Sequence, residues 1–230
     1  MQITPYNKKD KTKKKQVEEM FDNISKKYDF LNHFFSMGID ILWRKRLVKE
    51  LIEKKPENVL DIATGTGDLA IEIAEKGVSE VKGIDISEGM LNIGRNKIAK
   101  KNVENIELIK GDSENLPFKE NIFDAIVVAF GVRNFDNIEK GLKEMNRVLK
   151  KGGGIYILEF SLPETFPLKQ IFGFYFKKIM PFFGKLISKD GSAYEYLPNS
   201  VHYFPSGKDF MEIMKRTGFE KNNRSTLTGG

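Results

Sequence analysis

Gly65 and Gly67 follow the apolar pair Val59-Leu60 in the stretch Val-Leu-Asp61-Ile-Ala-Thr-Gly65-Thr66-Gly67-Asp-Leu-Ala70, and a second apolar run closes on Gly83-Ile84-Asp85. Glycines at this spacing let the backbone come close to a ligand. A carboxylate at the tip of the second strand can accept two ribose hydroxyls, as in a nucleotide-binding βαβ unit. Gly65-x-Gly67-x-x-Ala70 on its own also satisfies the dinucleotide pattern, so the ligand must be decided elsewhere. The discriminating residue is Asp61, where the first strand meets the loop and a dinucleotide would place its pyrophosphate. A carboxylate there repels an anionic cofactor and suits a cationic one. The alternative role for Asp61 is to cap the turn or the following helix.

S-adenosylmethionine fits that charge pattern, because it carries a sulfonium, an ammonium and a ribose but no phosphate. The loop after the third predicted strand runs from Lys110 to Phe118. In it Asp112 can accept the exocyclic amine of an adenine, with Ile86 and Leu116 sandwiching the ring. Taken singly, Asp112 reads equally well as an ordinary loop carboxylate. His33 and His202 stand far apart without partners at ligand spacing, so no metal site is expected. No Gly-x-Ser-x-Gly elbow is present.

These residues need a scaffold, and the chain supplies one. Strands are predicted over 58–62, 80–85, 105–109, 123–130 and 154–160, with helices over 67–76, 88–100, 137–150 and 207–217. The alternation argues for an α/β fold, a parallel sheet covered on both faces, with ligands beyond the carboxyl ends of the strands near the point where strand order reverses. Before it, Val17, Met20, Phe21, Ile24, Tyr28 and Leu31 follow helical spacing over 16–35, and a second helix is predicted from Asp40 to Lys54. At 230 residues with 40% hydrophobic content, one domain with additions, over 16–230, is expected. There is no cysteine, which excludes disulfides and thiolate metal sites. No signal peptide or membrane-spanning run is visible, so a cytoplasmic protein, peripheral at most, is expected.

The net charge of +6 is concentrated in Lys8, Lys9, Lys11, Lys13, Lys14 and Lys15 against Asp10. Residues 1–15 therefore read as a disordered, solvated arm, with anionic lipid as the next partner. Nucleic acid is disfavoured because no stacking aromatics are interleaved with these lysines. An insertion over 161–205 interrupts the alternation. Its segment 166–189 holds Phe166, Phe172, Phe174, Tyr175, Phe176, Phe182 and Phe183 with five lysines and no acid. That composition suits an interfacial helix or a lid over an apolar ligand; an added core helix is the alternative.

Tyr28-Asp29-x-x-Asn32, Ser36-x-Gly38 and Trp43-Arg44 resemble one signature of the menaquinone/ubiquinone biosynthesis C-methyltransferases. A second signature resembles Phe130-Gly131-Val132-Arg133-Asn134, together with Arg147-Val148-Leu149-Lys150-x-Gly152-Gly153. Leu158-Glu159-Phe160-Ser161 and Tyr196-Leu197-x-x-Ser200-Val201-x-x-Phe204-Pro205 are similar as well. The resemblance implies a class I, Rossmann-like, seven-stranded fold and methylation of a ring carbon on a polyprenylated quinol. It also implies cofactor contacts at Thr66, Asp85, Asp112 and Ser113, with Gly65 and Gly67 shaping the loop. Ala129 stands where some members carry a serine. The chain stops at Thr228-Gly229-Gly230, where relatives continue into a final strand, so a sheet lacking that strand is expected.

In this reading Arg133 and Asn134 are the first candidates for stabilising a phenolate or orienting a water. Tyr28, Asp29 and His33 on the N-terminal helices are candidates for the same space. Arg133 reads alternatively as a structural ion pair and Tyr28 as core. Two other functions compete, a nicotinamide-dependent oxidoreductase and an RNA methyltransferase. The first is opposed by Asp61 and the second by the localised tail charge. Substrate ring type is not legible, and an oligomer is compatible with the sequence.

Overall fold

In the computed structural model, residues 3–163, 166–174 and 191–228 are described. Five parallel strands form one sheet: β1 (Asn58–Ile62), β2 (Glu80–Asp85), β3 (Ile106–Lys110), β4 (Phe123–Ala129) and β5 (Leu149–Leu158), in the order β3-β2-β1-β4-β5. The order reverses between β1 and β4, which is where such sheets bind ligands. Among the described residues no strand follows β5, against the seven implied by the resemblance.

The strands alternate between two apolar layers. Leu60 and Ile62 of β1, with Ile126 and Val128 of β4, face a core shared with Leu142, Met145, Phe204 and Met214. Val59, Ala125 and Val127 face the other, shared with Leu47, Leu51, Leu69 and Ile73. Strands buried on both faces need such continuous Val/Ile/Leu content, and each fully buried aliphatic contributes about 1.5–3 kcal/mol. The covering helices are α2 (Ile39–Ile52), α3 (Asp68–Ala74), α4 (Glu88–Lys101), α5 (Ile138–Val148) and α8 (Lys208–Arg216). α6 (Leu168–Phe174) and α7 (Gly191–Tyr203) belong to the insertion; its expected lid residues 175–189 lie outside the described residues. No helix among the described residues is long and apolar enough to cross a membrane.

Two expectations are corrected. β5 begins at Leu149, directly after α5, rather than at 154. Leu149 pairs with Phe123 and Gly154 with Ala125, so the ladder shifts register there and takes in Gly152 at φ 82°. The N-terminal arm is not a disordered tail to residue 15. α1 (Lys13–Ser36) starts inside the lysine run, capped by Thr12 Oγ1 accepting from Lys15 N at 3.3 Å. Gln16, fully buried, holds the preceding turn: its Oε1 accepts from Tyr6 N and Lys8 N, and its Nε2 donates to Lys8 O and Lys11 O. α1 then docks on α4, where Asp22 Oδ1 accepts from Ser87 Oγ (2.6 Å) and Gly89 N (2.9 Å). A carboxylate at a helix N-terminus is favoured there by the dipole.

Candidate active site

A cleft opens at the carboxyl ends of β1 to β4. Its walls are Ala63 and Gly65 after β1, Asp85 and Ile86 after β2, Gly111 to Glu114 after β3, and Ala129 to Gly131 after β4. Val17, Phe21 and Tyr28 of α1 and Met90 of α4 close its apolar side, and Asn134, Phe135 and Asp136 complete the rim. The tips of β1 and β4 sit in left-handed backbone, Ala63 at φ 54° and Phe130 at φ 58°. A Cβ on Gly131 would come within 2.6 Å of Ala63 Cβ, so only glycine lets these two tips approach.

Asp85 is held by its own loop: Oδ2 accepts from Gly65 N and Oδ1 from Ser87 N, each at 2.8 Å. Burial pushes its pKa up to about 6, although the backbone N–H groups of Ser87, Gly65 and Ile86 oppose the shift. Each oxygen keeps a further lone pair, which suits ribose hydroxyls. Asp112 Oδ1 accepts from Glu114 N at 2.9 Å, while its Oδ2 is paired with Lys14 Nζ at 2.6 Å. Asp85, Asp112, Glu114 and Asp136 thus bring four carboxylates to one cleft. Asn134 adds a buried amide Oδ1 with no protein partner among the described residues. This donor-poor, acceptor-rich lining fits S-adenosylmethionine and opposes a pyrophosphate.

The structure brings Gly65, Asp85, Ile86, Asp112, Ser113, Tyr28 and Asn134 to the cleft and places the other expected residues behind it. Asp61 is 1% exposed; its Oδ2 accepts from Thr64 Oγ1 at 2.6 Å, and burial pushes its pKa up to about 7. It therefore acts in the turn, and the rejection of an anionic cofactor falls to the four carboxylates instead. Thr66 donates its hydroxyl to Asp29 Oδ1 (2.6 Å), and Lys97 Nζ contacts Thr66 Oγ1 (2.9 Å) and Asp29 Oδ2 (2.7 Å). That network takes Thr66 and Asp29 off the cleft wall and pins α1 to the β1–α3 loop. Gly67 serves as the left-handed cap of α3 at φ 77°. Leu116 joins the core rather than an adenine sandwich. His33 Nδ1 lies 3.0 Å from Asp40 Oδ2, itself paired with Arg44 Nη1 at 2.7 Å, in a cluster tying α1 to α2.

Arg133 lies in a 3-10 turn, Val132–Asn134, and is 8% exposed. Its Nη1 donates to Glu159 Oε1 at 2.6 Å and to Phe130 O, and its guanidinium covers the Phe160 ring at 5.4 Å. The structural ion pair is thus realised. Tyr28 is half-buried among apolar neighbours, and the desolvation of its hydroxyl pushes its pKa up to about 12, so near neutrality it is a proton-bearing donor rather than a base.

Lys14, Glu114, Asp136 and Glu159 escaped the sequence reading as functional residues. Glu159 stood in a quoted motif and Glu114 in an inspected loop, whereas nothing local marks Lys14.

Comparison with known proteins decides the class. The model of the ubiE/COQ5 methyltransferase family matches residues 9–230. The chain belongs to that family. Among its relatives, the demethylmenaquinone methyltransferase of Bacteroides fragilis is 47% identical over 230 residues, 99% of this chain and 94% of that protein. The Staphylococcus aureus enzyme of the same name is 42% identical over 222 residues, covering 96% and 91%. Among solved structures, a SAM-dependent methyltransferase of Thermotoga maritima, described as a possible histamine N-methyltransferase, superposes with a TM-score of 0.61 at 25% identity, covering 88% and 81%. For a methyltransferase of this family, an acidic cleft at the strand-order reversal is where the methyl donor belongs.

Proposed function

We propose that this methyltransferase methylates a ring carbon of a polyprenylated demethylmenaquinol. The cofactor is S-adenosylmethionine, which supplies an electrophilic methyl group for in-line displacement. The observation that carries the reading is the convergence of Asp85, Asp112, Glu114 and Asp136 on one cleft beside Asn134 and the Arg133 turn. Asp85 would hold the ribose, Asp112 and Ser113 the adenine edge, and Ile86 its face. Gly65 keeps the backbone close, while Asp61, Thr66 and Gly67 shape the loop behind. The names of the relatives support the naphthoquinol as acceptor, and the benzoquinol of the ubiquinone branch is its natural competitor.

The protein's own part is to position and to shield. Val17, Phe21 and Met90 exclude water from the transfer path. Tyr28 offers an O–H and Asn134 an amide toward the reacting edge of the acceptor, and the Arg133 guanidinium, paired with Glu159, adds hydrogen-bond donors rather than net charge where a phenolate develops. The exposed Phe166, Ile171 and Phe174 around Lys169 on α6 support contact with a membrane surface, where a prenylated quinol resides. The deciding experiment supplies labelled S-adenosylmethionine with demethylmenaquinol or the benzoquinol. A naphthoquinol product one methyl heavier is expected; no label in either quinol would sink the reading.

A further inference from the structure

A second cavity, of about 160 Å³, borders the 132–134 turn at Arg133. Lys13, Arg133, Ile138, Tyr196, Ser200 and Phe204 line it, with no carboxylate among its lining residues. Tyr196 is 4% exposed and Arg133 is 8% exposed. Tyr196 Oη and Arg133 Nε are buried without a hydrogen-bond partner among the described residues. Burying such groups costs free energy unless something accepts from them. The neighbouring polar groups are otherwise engaged: Lys13 Nζ donates to Phe135 O at 2.6 Å, and Ser200 Oγ to Leu197 O at 2.8 Å.

The rest of the wall is Ile3, Pro205 and the largely exposed Tyr203. An engineered apolar cavity of about 150 Å³ takes a benzene, so the space here matches an aromatic ring system. Two unspent donors beside apolar walls call for a ring bearing an oxygen acceptor. A full anion such as phosphate is less well served, because the guanidinium is already neutralised by Glu159 at 2.6 Å.

We propose that this cavity binds the aromatic ring of the methyl acceptor, with the Tyr196 hydroxyl and Arg133 Nε–H donating to one ring oxygen. Tyr196 is then a specificity residue for an oxygenated ring, on an element remote in sequence from the cofactor loops. The inference rests on the quinol reading above, and its test separates the two.

The probes are 1-naphthol and 1-methylnaphthalene, matched in size and differing in the oxygen, titrated into the full chain. Wild type is expected to prefer the naphthol by about five- to tenfold, the range of one or two hydrogen bonds. Tyr196→Phe, which keeps the ring packing, should bring the two within about twofold of each other. Ile138→Trp should fill the cavity and weaken both probes. The affinity for S-adenosylhomocysteine reports an intact fold and cofactor cleft in each variant. An unchanged naphthol preference in Tyr196→Phe overturns the proposal, as does undiminished probe binding in a folded Ile138→Trp; if the latter fails to fold, Tyr196→Phe decides alone. Methyl transfer to demethylmenaquinol is measured separately. Its absence with the probe pattern intact removes the quinol reading and leaves an aromatic-ring site; its presence with the pattern lost removes only this inference.

Discussion

The cofactor cleft and the cavity beside the 132–134 turn share one short stretch of chain, yet their walls carry opposite charge. The cleft gathers four carboxylates. The cavity is lined by Lys13 and Arg133. In the cleft the carboxylates are bound into their own loops, as Asp85 is by Gly65 N and Ser87 N, and the unspent group is an acceptor, Asn134 Oδ1. In the cavity the donors of Tyr196 and Arg133 are unspent. α1 spans both, with Lys14 paired to Asp112 on one side and Lys13 donating to Phe135 O on the other. Charge sign and the state of satisfaction distinguish a place for a cation from a place for an oxygenated ring.

The comparison breaks most severely at Arg133. Arg133→Ala leaves Glu159 buried without its partner and should cost about 3–5 kcal/mol of stability in urea unfolding. Arg133→Lys should retain most of the fold, so lost turnover in that variant is the cleaner sign of a role in catalysis.

Asp85→Ala should weaken S-adenosylmethionine by about 1.5–3 kcal/mol, read by calorimetry, and leave binding of naphthol probes unchanged. Equal cofactor affinity in the variant would take Asp85 out of the site. The same carboxylate sets a pH dependence. Because its pKa is raised to about 6, cofactor affinity should fall as pH drops through that value, by up to about tenfold per unit. Asp85→Asn should flatten the profile. Stability of the ligand-free protein runs the other way. The raised pKa values of Asp85, about 6, and Asp61, about 7, favour the folded state below the ordinary carboxylate value of 3.8, and that contribution is lost as pH rises through 6 and 7.

Lys14→Met gives the smallest effect. Freed of its half-exposed partner, Asp112 should hold the cationic cofactor about two- to fivefold more tightly at low salt, and the gain should vanish at high salt. Weaker binding would mean that Lys14 helps to build the cleft rather than compete for it.

The strand tips were legible because their signals are local: an apolar run, a glycine turn and a carboxylate at the second tip lead to Asp85 and its loop. Asp112 followed from the same logic one strand later. Lys13 and Lys14 were not legible, since a lysine run reads alike whether solvated or docked, and their partners Phe135 and Asp112 stand about a hundred residues away. Thr66 and Asp61 were placed correctly on the chain, but their side chains turn to Asp29 and Thr64, which spacing cannot convey. The second cavity needs Ile3, Arg133 and Tyr196 together, a juxtaposition of chain regions that periodicity does not encode. β5 starts before residue 154 because pairing of Leu149 with Phe123 recruits Lys150-Lys151-Gly152-Gly153 as strand, which their polar, glycine-rich composition does not announce.

Ala63 and Phe130 occupy a backbone region that disfavours residues with a Cβ by about 1–2 kcal/mol each. They do so at the two strand tips that form one wall of the cleft. The packed layers on either side of the sheet supply the rigidity that keeps them there, so part of the core's surplus is committed to holding the rim out of its relaxed shape. Ala63→Gly would release that tension and raise the melting temperature while softening the wall against which the donor is aligned. Thermal tolerance and catalytic competence pull in opposite directions at this one position.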